Sequence, residues 1–329
     1  MPQFASLPRA PFATLALLAL SCASEQERAA QPPNEAARHA SASSTRAPAP
    51  AAPVVANTNA STPDEAFTPP AHLRLPSSLQ AGERVPLLLV LHGFGVSSTL
   101  LIAKAGLNQV ADQKKFAYLA PEGVRDPLGR PYWNAGKSCC DLDHQGIDDV
   151  KRLRELLTAN SNNASIDPSR VFVIGYSNGG FMAQRLACDV GDRIAGVISV
   201  AGAAPAPDVP CNQSSALSFL EIHGDADPVV HYAGGTVFDR TDVSAHASAP
   251  DTAKYWAQRL SCTGELHDVT TLDLEPYIAE RETAVQRYDG CRGSVELWTV
   301  KGGGHYVALQ PPALDAMWAF IQAHPKSGT

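Results

Sequence analysis

Residues 171–180 read VFVIGYSNGG, an apolar run that enters Gly-x-Ser-x-Gly without a break. The run reads as a buried strand, and 178–188 read as a helix. A strand joined so directly to a helix forces the serine into a very tight turn. Glycine at 175 and 179 removes the side chains that would collide there, and Ser177 is left in a strained backbone conformation. Such a turn presents one hydroxyl at the end of a strand. A serine hydroxyl is a poor nucleophile until a base takes its proton, so the motif requires a histidine and a carboxylate elsewhere in the chain.

The surrounding sequence alternates strand and helix. VPLLLVL at Val85–Leu91 is continuously apolar and is bounded by His92-Gly93, the signature of a strand buried on both faces of a parallel sheet. Shorter strands are expected at 116–120, 195–200, 219–223 and 295–300. Helices are expected at 148–159, 251–260 and 313–323. Strands separated by helices imply an α/β domain with a mostly parallel central sheet and helices on both faces, here spanning 67–325.

The N-terminal part has a different character. Arg9 precedes an apolar run, 10–20, that is too short to span a bilayer and reads as a signal peptide over 1–22. LALSC at 18–22 resembles a bacterial lipoprotein cleavage site, which predicts lipidation at Cys22. Cleavage after Ser21 or Ala23 is the alternative. Residues 23–66 are rich in Ala, Pro, Ser, Thr and Asn and lack apolar periodicity, so they read as a disordered tether. Either form of leader predicts export to the extracellular space or the cell envelope, with contact to membrane only through a lipid at Cys22. The net charge of −7 supplies no basic excess to neutralise phosphates, so no nucleic-acid partner is expected.

Chain order restricts the partners of Ser177. In domains with this turn the order is serine, acid, histidine. Of the ten histidines, His223, His231, His246, His267, His305 and His324 follow the serine. His305 follows the last strand through Gly302-Gly303-Gly304, a turn able to present an imidazole at a strand end, and is the expected base. The acid belongs on the loop after the strand that ends at His223. There Asp225 and Asp227 compete, the second fixed by Pro228 and the first suited to a turn or cap. The acid would hold the histidine tautomer and stabilise the imidazolium. Donors for an oxyanion are expected from the backbone N–H groups of Asn178 and of Phe94, the latter between two glycines in His92-Gly93-Phe94-Gly95. His92 itself reads as structural.

Several segments together resemble the secreted polyhydroxybutyrate depolymerase and feruloyl or acetylxylan esterase group of α/β-hydrolases. They are LLLVLHGFG at 87–95, YWNAGKSCC at 132–140, GIDDV at 146–150, IDPSRVFVIGYSNGGFMAQRLAC at 166–188, VAG at 200–202, HGDADPVV at 223–230 and GGGH at 302–305. The resemblance covers about 69–320 and implies an α/β-hydrolase fold with Ser177 as nucleophile, Asp227 as acid and His305 as base. The group often has a Trp-Pro-Gly-like segment soon after the histidine; Tyr306-Val307-Ala308 stands here, so substrate identity transfers less well than the triad.

Setting Cys22 aside leaves six cysteines, an even number suited to an oxidising compartment. Cys188 ends the helix after Ser177, roughly 16 Å from the catalytic face, and Cys211 precedes the strand that starts at the same lower face, so these two are expected to pair. Cys262 and Cys291 flank a charged insertion suited to a hairpin, whose base a disulfide would tie. Cys139 and Cys140 are expected to form a vicinal disulfide; zinc binding is the alternative, which no C-x-x-C or nearby His pair supports. Only 201–216 join the fourth expected strand to the fifth, which leaves no room for a large cap domain and predicts an open cleft. Trp133, Tyr176, Tyr232 and Tyr306, with Tyr132 and Phe94, are expected on loops at the catalytic face, some lining the cleft and contacting substrate and others packing the loops. The expectation is a serine esterase that needs no metal or organic cofactor and acts on polyester or hydroxycinnamoyl esters. The alternatives are a peptidase or acyltransferase of the same fold, or a non-catalytic binding lipoprotein.

Overall fold

The computed structural model describes residues 71–206, 209–211, 213 and 215–326. The expected signal peptide (1–22), tether (23–66) and lipidation site Cys22 lie outside the described residues. In chain order the elements are β1 (Val85–Leu91), α1 (Ser98–Lys104), α2 (Leu107–Lys114), β2 (Ala117–Leu119), β3 (Val124–Arg125), β4 (Pro131–Tyr132), α3 (Asp149–Ser161), β5 (Ile166–Tyr176), α4 (Asn178–Val190), β6 (Gly196–Val200), β7 (Leu217–Gly224), α5 (Ala249–Arg259), β8 (His267–Leu272), β9 (Thr283–Tyr288), β10 (Gly293–Val300) and α6 (Pro311–Ala323).

Eight strands form one sheet in the order β2-β1-β5-β6-β7-β10-β9-β8. Neighbours from β2 to β10 pair in parallel, while β9 is antiparallel to both β10 and β8. Alternation along the strands divides the core in two. Leu87, Leu89, Leu91, Val171, Val173 and Phe219 pack on one face with Leu153 of α3, Phe181 and Met182 of α4 and Trp256 of α5. Leu88, Phe172, Ile198, Leu220 and Trp298 pack on the other with Leu107 of α2 and Met317 and Phe320 of α6. The sheet is therefore covered on both sides, as its apolar strands require.

Helix starts follow local chemistry. The Asp148 carboxylate accepts from the Lys151 N–H at the head of α3. Ser248 caps α5 by accepting from the Asp251 N–H, and Pro250 fits the first turn, so this helix begins two residues before its expected start. The hairpin expected between Cys262 and Cys291 is β8–β9. The described part of the connection from β6 to β7 contains no helix, in keeping with a domain that has no large cap.

The chain leaves β1 toward β2 on one side and later returns to β5 and then β6 on the other, so the direction of winding reverses between β1 and β5. A crevice at the carboxyl ends of these two strands is where a doubly wound sheet presents a site. Ser177 stands there, between β5 and α4, with φ 54° and ψ −121°. A Cβ on Gly175 would strike the backbone of Gly179, and one on Gly179 would strike the carbonyls of Leu91 and His92. The turn thus closes only because neither residue carries a side chain.

Cys188 is bonded to Cys211, Cys262 to Cys291 and Cys139 to Cys140. The sequence separation of 23 between Cys188 and Cys211 sets the loop that the unfolded chain must close. Replacing both with serine is expected to lower unfolding free energy by about 3 kcal/mol in urea titrations. Gly179→Ala is expected to cost about 3 kcal/mol in the same measurement, because the obstruction is backbone and cannot turn aside.

Candidate active site

Four strand ends meet at the crevice. The segment after β1 carries His92-Gly93-Phe94-Gly95, β5 ends at Ser177, the loop after β7 carries Asp227, and the turn after β10 carries His305. The Ser177 Oγ lies 2.9 Å from His305 Nε2, and His305 Nδ1 lies 2.8 Å from Asp227 Oδ2. The other oxygen of Asp227 accepts from the backbone N–H groups of Val229 (2.7 Å) and Val230 (3.0 Å), so the carboxylate is held from both sides. Asp225, the competing aspartate, instead accepts from the Gly302 N–H at 2.6 Å and fixes the turn that leads to His305. With Asp227 facing Nδ1, the imidazole presents Nε2 to the serine, the tautomer a base needs.

Gly93 packs against the nucleophile turn, where a Cβ on it would meet Ser177 Cβ at 3.3 Å and the Tyr176 ring at 3.2 Å. The loop is braced by the Gly95 N–H donating to the Pro131 carbonyl at 2.8 Å and the Val96 N–H donating to that of Gly93 at 3.1 Å. Phe94, expected as an oxyanion donor, follows directly, and Asn178 opens α4 on the other side of the serine. The Asn178 side chain has a separate task. It donates to the Trp133 carbonyl and accepts from the Trp133 N–H, both at 2.8 Å, pinning the 131–140 segment to the head of α4. It also reaches Cys139 Sγ at 3.4 Å, which places the vicinal disulfide behind the turn.

His92 is fully buried. Its Nδ1 lies 2.9 Å from the Gly93 carbonyl and its Nε2 accepts from the Gly123 N–H at 2.9 Å, so a neutral ring satisfies both contacts. Burial lowers its basicity further. This is the structural role expected for it.

Two aromatic assignments need correction, those of the buried Trp133 and Tyr176. Trp133, expected to touch substrate, is 0% exposed, and its indole N–H donates to the His92 carbonyl at 2.9 Å. Tyr176 is buried, and its hydroxyl donates to the His305 carbonyl at 2.5 Å; it supports the base from below. Burial raises that phenol well above its ordinary value, which keeps it a donor. Tyr232 is engaged at 2.7 Å with Thr299 Oγ1 and sets its ring edge against His223. Tyr132, also placed on the catalytic face, is buried with its hydroxyl on Asp141. Each of these rings found a polar partner within the protein for its N–H or O–H, which sequence position does not disclose. Tyr306 is 73% exposed, stacked on Tyr176 at 6.2 Å, and stays open to a ligand.

Two features were missed. Phe238 is about half exposed, and its ring stands 6.4 Å from that of Phe94. Its φ of 56° is strained for a residue that is not glycine. The second is buried behind the site. Glu221 on β7 and His223 two residues on extend the line of polar groups beyond Asp227, with His223 Nε2 at 3.3 Å from Asp227 Oδ2. A carboxylate within the apolar strand LSFLEIHG was the available signal. Burial opposes ionisation of Asp227, but hydrogen bonds from His223 and His305 outweigh it and hold the carboxyl well below the usual carboxylate range.

Among the described residues no group of three or more His, Cys, Asp or Glu side chains is arranged to hold a metal ion. The chemistry available is that of a hydroxyl, an imidazole and a carboxylate in hydrogen-bonded sequence.

Residues 79–270 match the family model described as Phospholipase/Carboxylesterase. The chain is 33% identical over 229 residues to "Putative esterase NocK" of Nocardia uniformis subsp. tsuyamanensis, covering 67% of this chain and 64% of that protein. It is 29% identical over 250 residues to Feruloyl esterase B of Piromyces equi, covering 71% of this chain and 42% of that protein. The chain thus spans less than two thirds of the length of either relative. Among solved structures, an acetyl xylan esterase from Aspergillus awamori superposes with a TM-score of 0.52 at 15% identity, over 76% of this chain and 93% of that one, a likeness of fold. The family match spans most of the parallel sheet and the serine turn, and the chain belongs to the phospholipase/carboxylesterase family of α/β-hydrolase esterases.

Proposed function

We propose that the protein is an exported serine esterase that cleaves bulky hydroxycinnamoyl esters. The observation that carries this reading is the unbroken series Ser177 Oγ, His305 Nε2, His305 Nδ1 and Asp227 Oδ2, with contacts of 2.9 and 2.8 Å. In the proposed reaction His305 takes the Ser177 proton as Oγ attacks the ester carbonyl. The Phe94 and Asn178 N–H groups receive the charge that develops on the carbonyl oxygen. His305 returns the proton to the leaving alcohol, and water repeats the sequence to free the acid. Asp227 holds the histidine and stabilises its cationic form without taking the proton.

Two observations support an aromatic acyl group. The rings of Phe94 and Phe238 stand edge to face beside the turn, and Tyr306 presents an exposed ring next to His305. A planar ring entering between them would gain stacking contacts of the kind aromatic pairs favour. Feruloyl esterase among the relatives is consistent with that class. Export is inferred from the residues 9–22 pattern, with 23–66 as tether, and from six cysteines joined in pairs.

The test is product release from feruloylated arabinoxylan and, side by side, from a polyhydroxybutyrate film, with Ser177→Ala as the blank. Ferulate release is expected, falling by about a thousandfold or more in the blank. Hydroxybutyrate release alone would move the enzyme to polyesters, and no serine-dependent release from either substrate would overturn the reading. Phe238→Ala is expected to lower the ratio of kcat/KM for methyl ferulate over that for methyl acetate about tenfold. An unchanged ratio would remove the aromatic rim from the account.

A further inference from the structure

The line of polar groups does not stop at Asp227. His223 is almost wholly buried, and both ring nitrogens face acceptors. Nε2 lies 2.8 Å from the Val230 carbonyl and 3.3 Å from Asp227 Oδ2. Nδ1 lies 3.3 Å from Glu221 Oε1. Burial of Glu221 pushes its carboxyl up, and against that it receives the Gly202 N–H and the Gln184 amide, each at 3.2 Å, with Ser199 as a further donor and the His223 ring beside it. Gln184 is in turn fixed by the Trp256 indole N–H at 2.8 Å. A carboxylate so surrounded by donors calls for a proton on His223 Nδ1, and a carboxylate and a carbonyl at Nε2 call for another there.

We propose that His223 is a cationic positioning residue for the esterase reaction: held by Glu221, it grips Asp227 Oδ2 and shares that carboxylate's charge with His305. This rests on the reading of Ser177, His305 and Asp227 given above. The consequence is electrostatic. Were His223 uncharged, the whole negative charge of Asp227 would bear on His305 alone and favour its cationic form over the neutral ring that acts as base. With His223 charged, Asp227 still orients His305 while its charge is divided between two imidazoles. The titratable groups around His223 are Glu221 on its own strand, Asp227 and Tyr232 on the loop that follows, His246 on the segment before α5, and His305 across Asp227. The packed elements α4 and β6 contribute neutral Gln184 and Ser199. Burial alone would lower His223, yet its bonds to Asp227 and Glu221 raise it to about 9, which agrees with the geometry.

Two measurements test this. In the wild-type protein at neutral pH, proton–nitrogen NMR correlation of the imidazoles is expected to show both nitrogens of His223 protonated; a neutral tautomer would overturn the proposal. In the paired variant Glu221→Gln with His223→Gln, which removes both buried charges together, the acid limb of kcat/KM for 4-nitrophenyl acetate is expected to move up by about one pH unit. An acid limb that stays in place in the folded variant would reduce His223 to packing and overturn the proposal. If the variant does not fold, the NMR result decides. Persistent hydrolysis by Ser177→Ala would instead defeat the reading of the nucleophile, and the NMR result on His223 would stand apart from it.

Discussion

The catalytic face depends on how closely β1, β5 and α4 approach one another. Gly179 lies against the carbonyls of Leu91 and His92, and Gly175 lies against Gly179 itself. That approach lets α4 begin with a single residue, Ser177, between it and the end of β5, and leaves that serine with its strained φ. It also brings the segment after β1 beside the serine, so that Gly93 has room for no more than a tight Cβ against Ser177 and Phe94 follows at the crevice. One methyl group at 179 would push the strand and the helix apart and take Phe94 with them. The strain at Ser177 is tolerated because the sheet on one side and the buried α4 on the other over-determine its position.

Buried charge adds a second constraint. Ion pairs taken out of water keep their charge only where geometry and further hydrogen bonds compensate the lost solvation, and removing one partner of such a pair costs about 3–5 kcal/mol. Glu221, His223 and Asp227 meet this requirement by alternating in sign and by drawing donors from β6, α4 and the segments that follow β6 and β7. Gly202 follows β6, Ser199 lies within it, Gln184 is on α4, and Val229 and Val230 follow β7. The network therefore ties the acid loop to α4, the element that carries the serine turn at its other contact. Fixing the electrostatics and fixing the geometry are here the same set of bonds.

Residues at strand ends were legible in the sequence because order and position along a parallel sheet are set by short-range patterns. β1 spans Val85–Leu91 as its apolar run indicates, and the loops after β5, β7 and β10 carry Ser177, Asp227 and His305 in the expected sequence. What could not be read depends on partners distant in the chain. Trp133 stands on a loop, where an aromatic ring reads as exposed, yet His92, 41 residues away, takes its indole N–H. Glu221 signalled burial of a carboxylate, but its compensation comes from residues 19 and 37 positions away. Strand β8 left no apolar alternation, since it lies at the sheet's outer edge with its side chains almost all in solvent. Only its bracketing cysteines, Cys262 and Cys291, indicated that the segment doubles back.

These constraints separate chemistry from selectivity. Behind the crevice every side-chain polar atom of Asp227, His223 and Asn178 is committed to a partner, so substitutions there act on folding and on the geometry of the site together. In front of it the side chains with freedom to adapt are the exposed rings of Phe238 and Tyr306 and the half-buried ring of Phe94. The Phe94 ring packs on one edge against the buried Tyr132, with centroids 6.4 Å apart, and meets Phe238 and the Arg130 guanidinium, 4.9 Å away, on its outer sides. A ring so placed can be exchanged without moving its own N–H, because Gly93 and Gly95 fix the backbone on either side. On the proposed reading the fold allows the acyl preference to change by substitution at this rim, while the Ser177–His305–Asp227 line stays fixed by bonds that no rim residue makes.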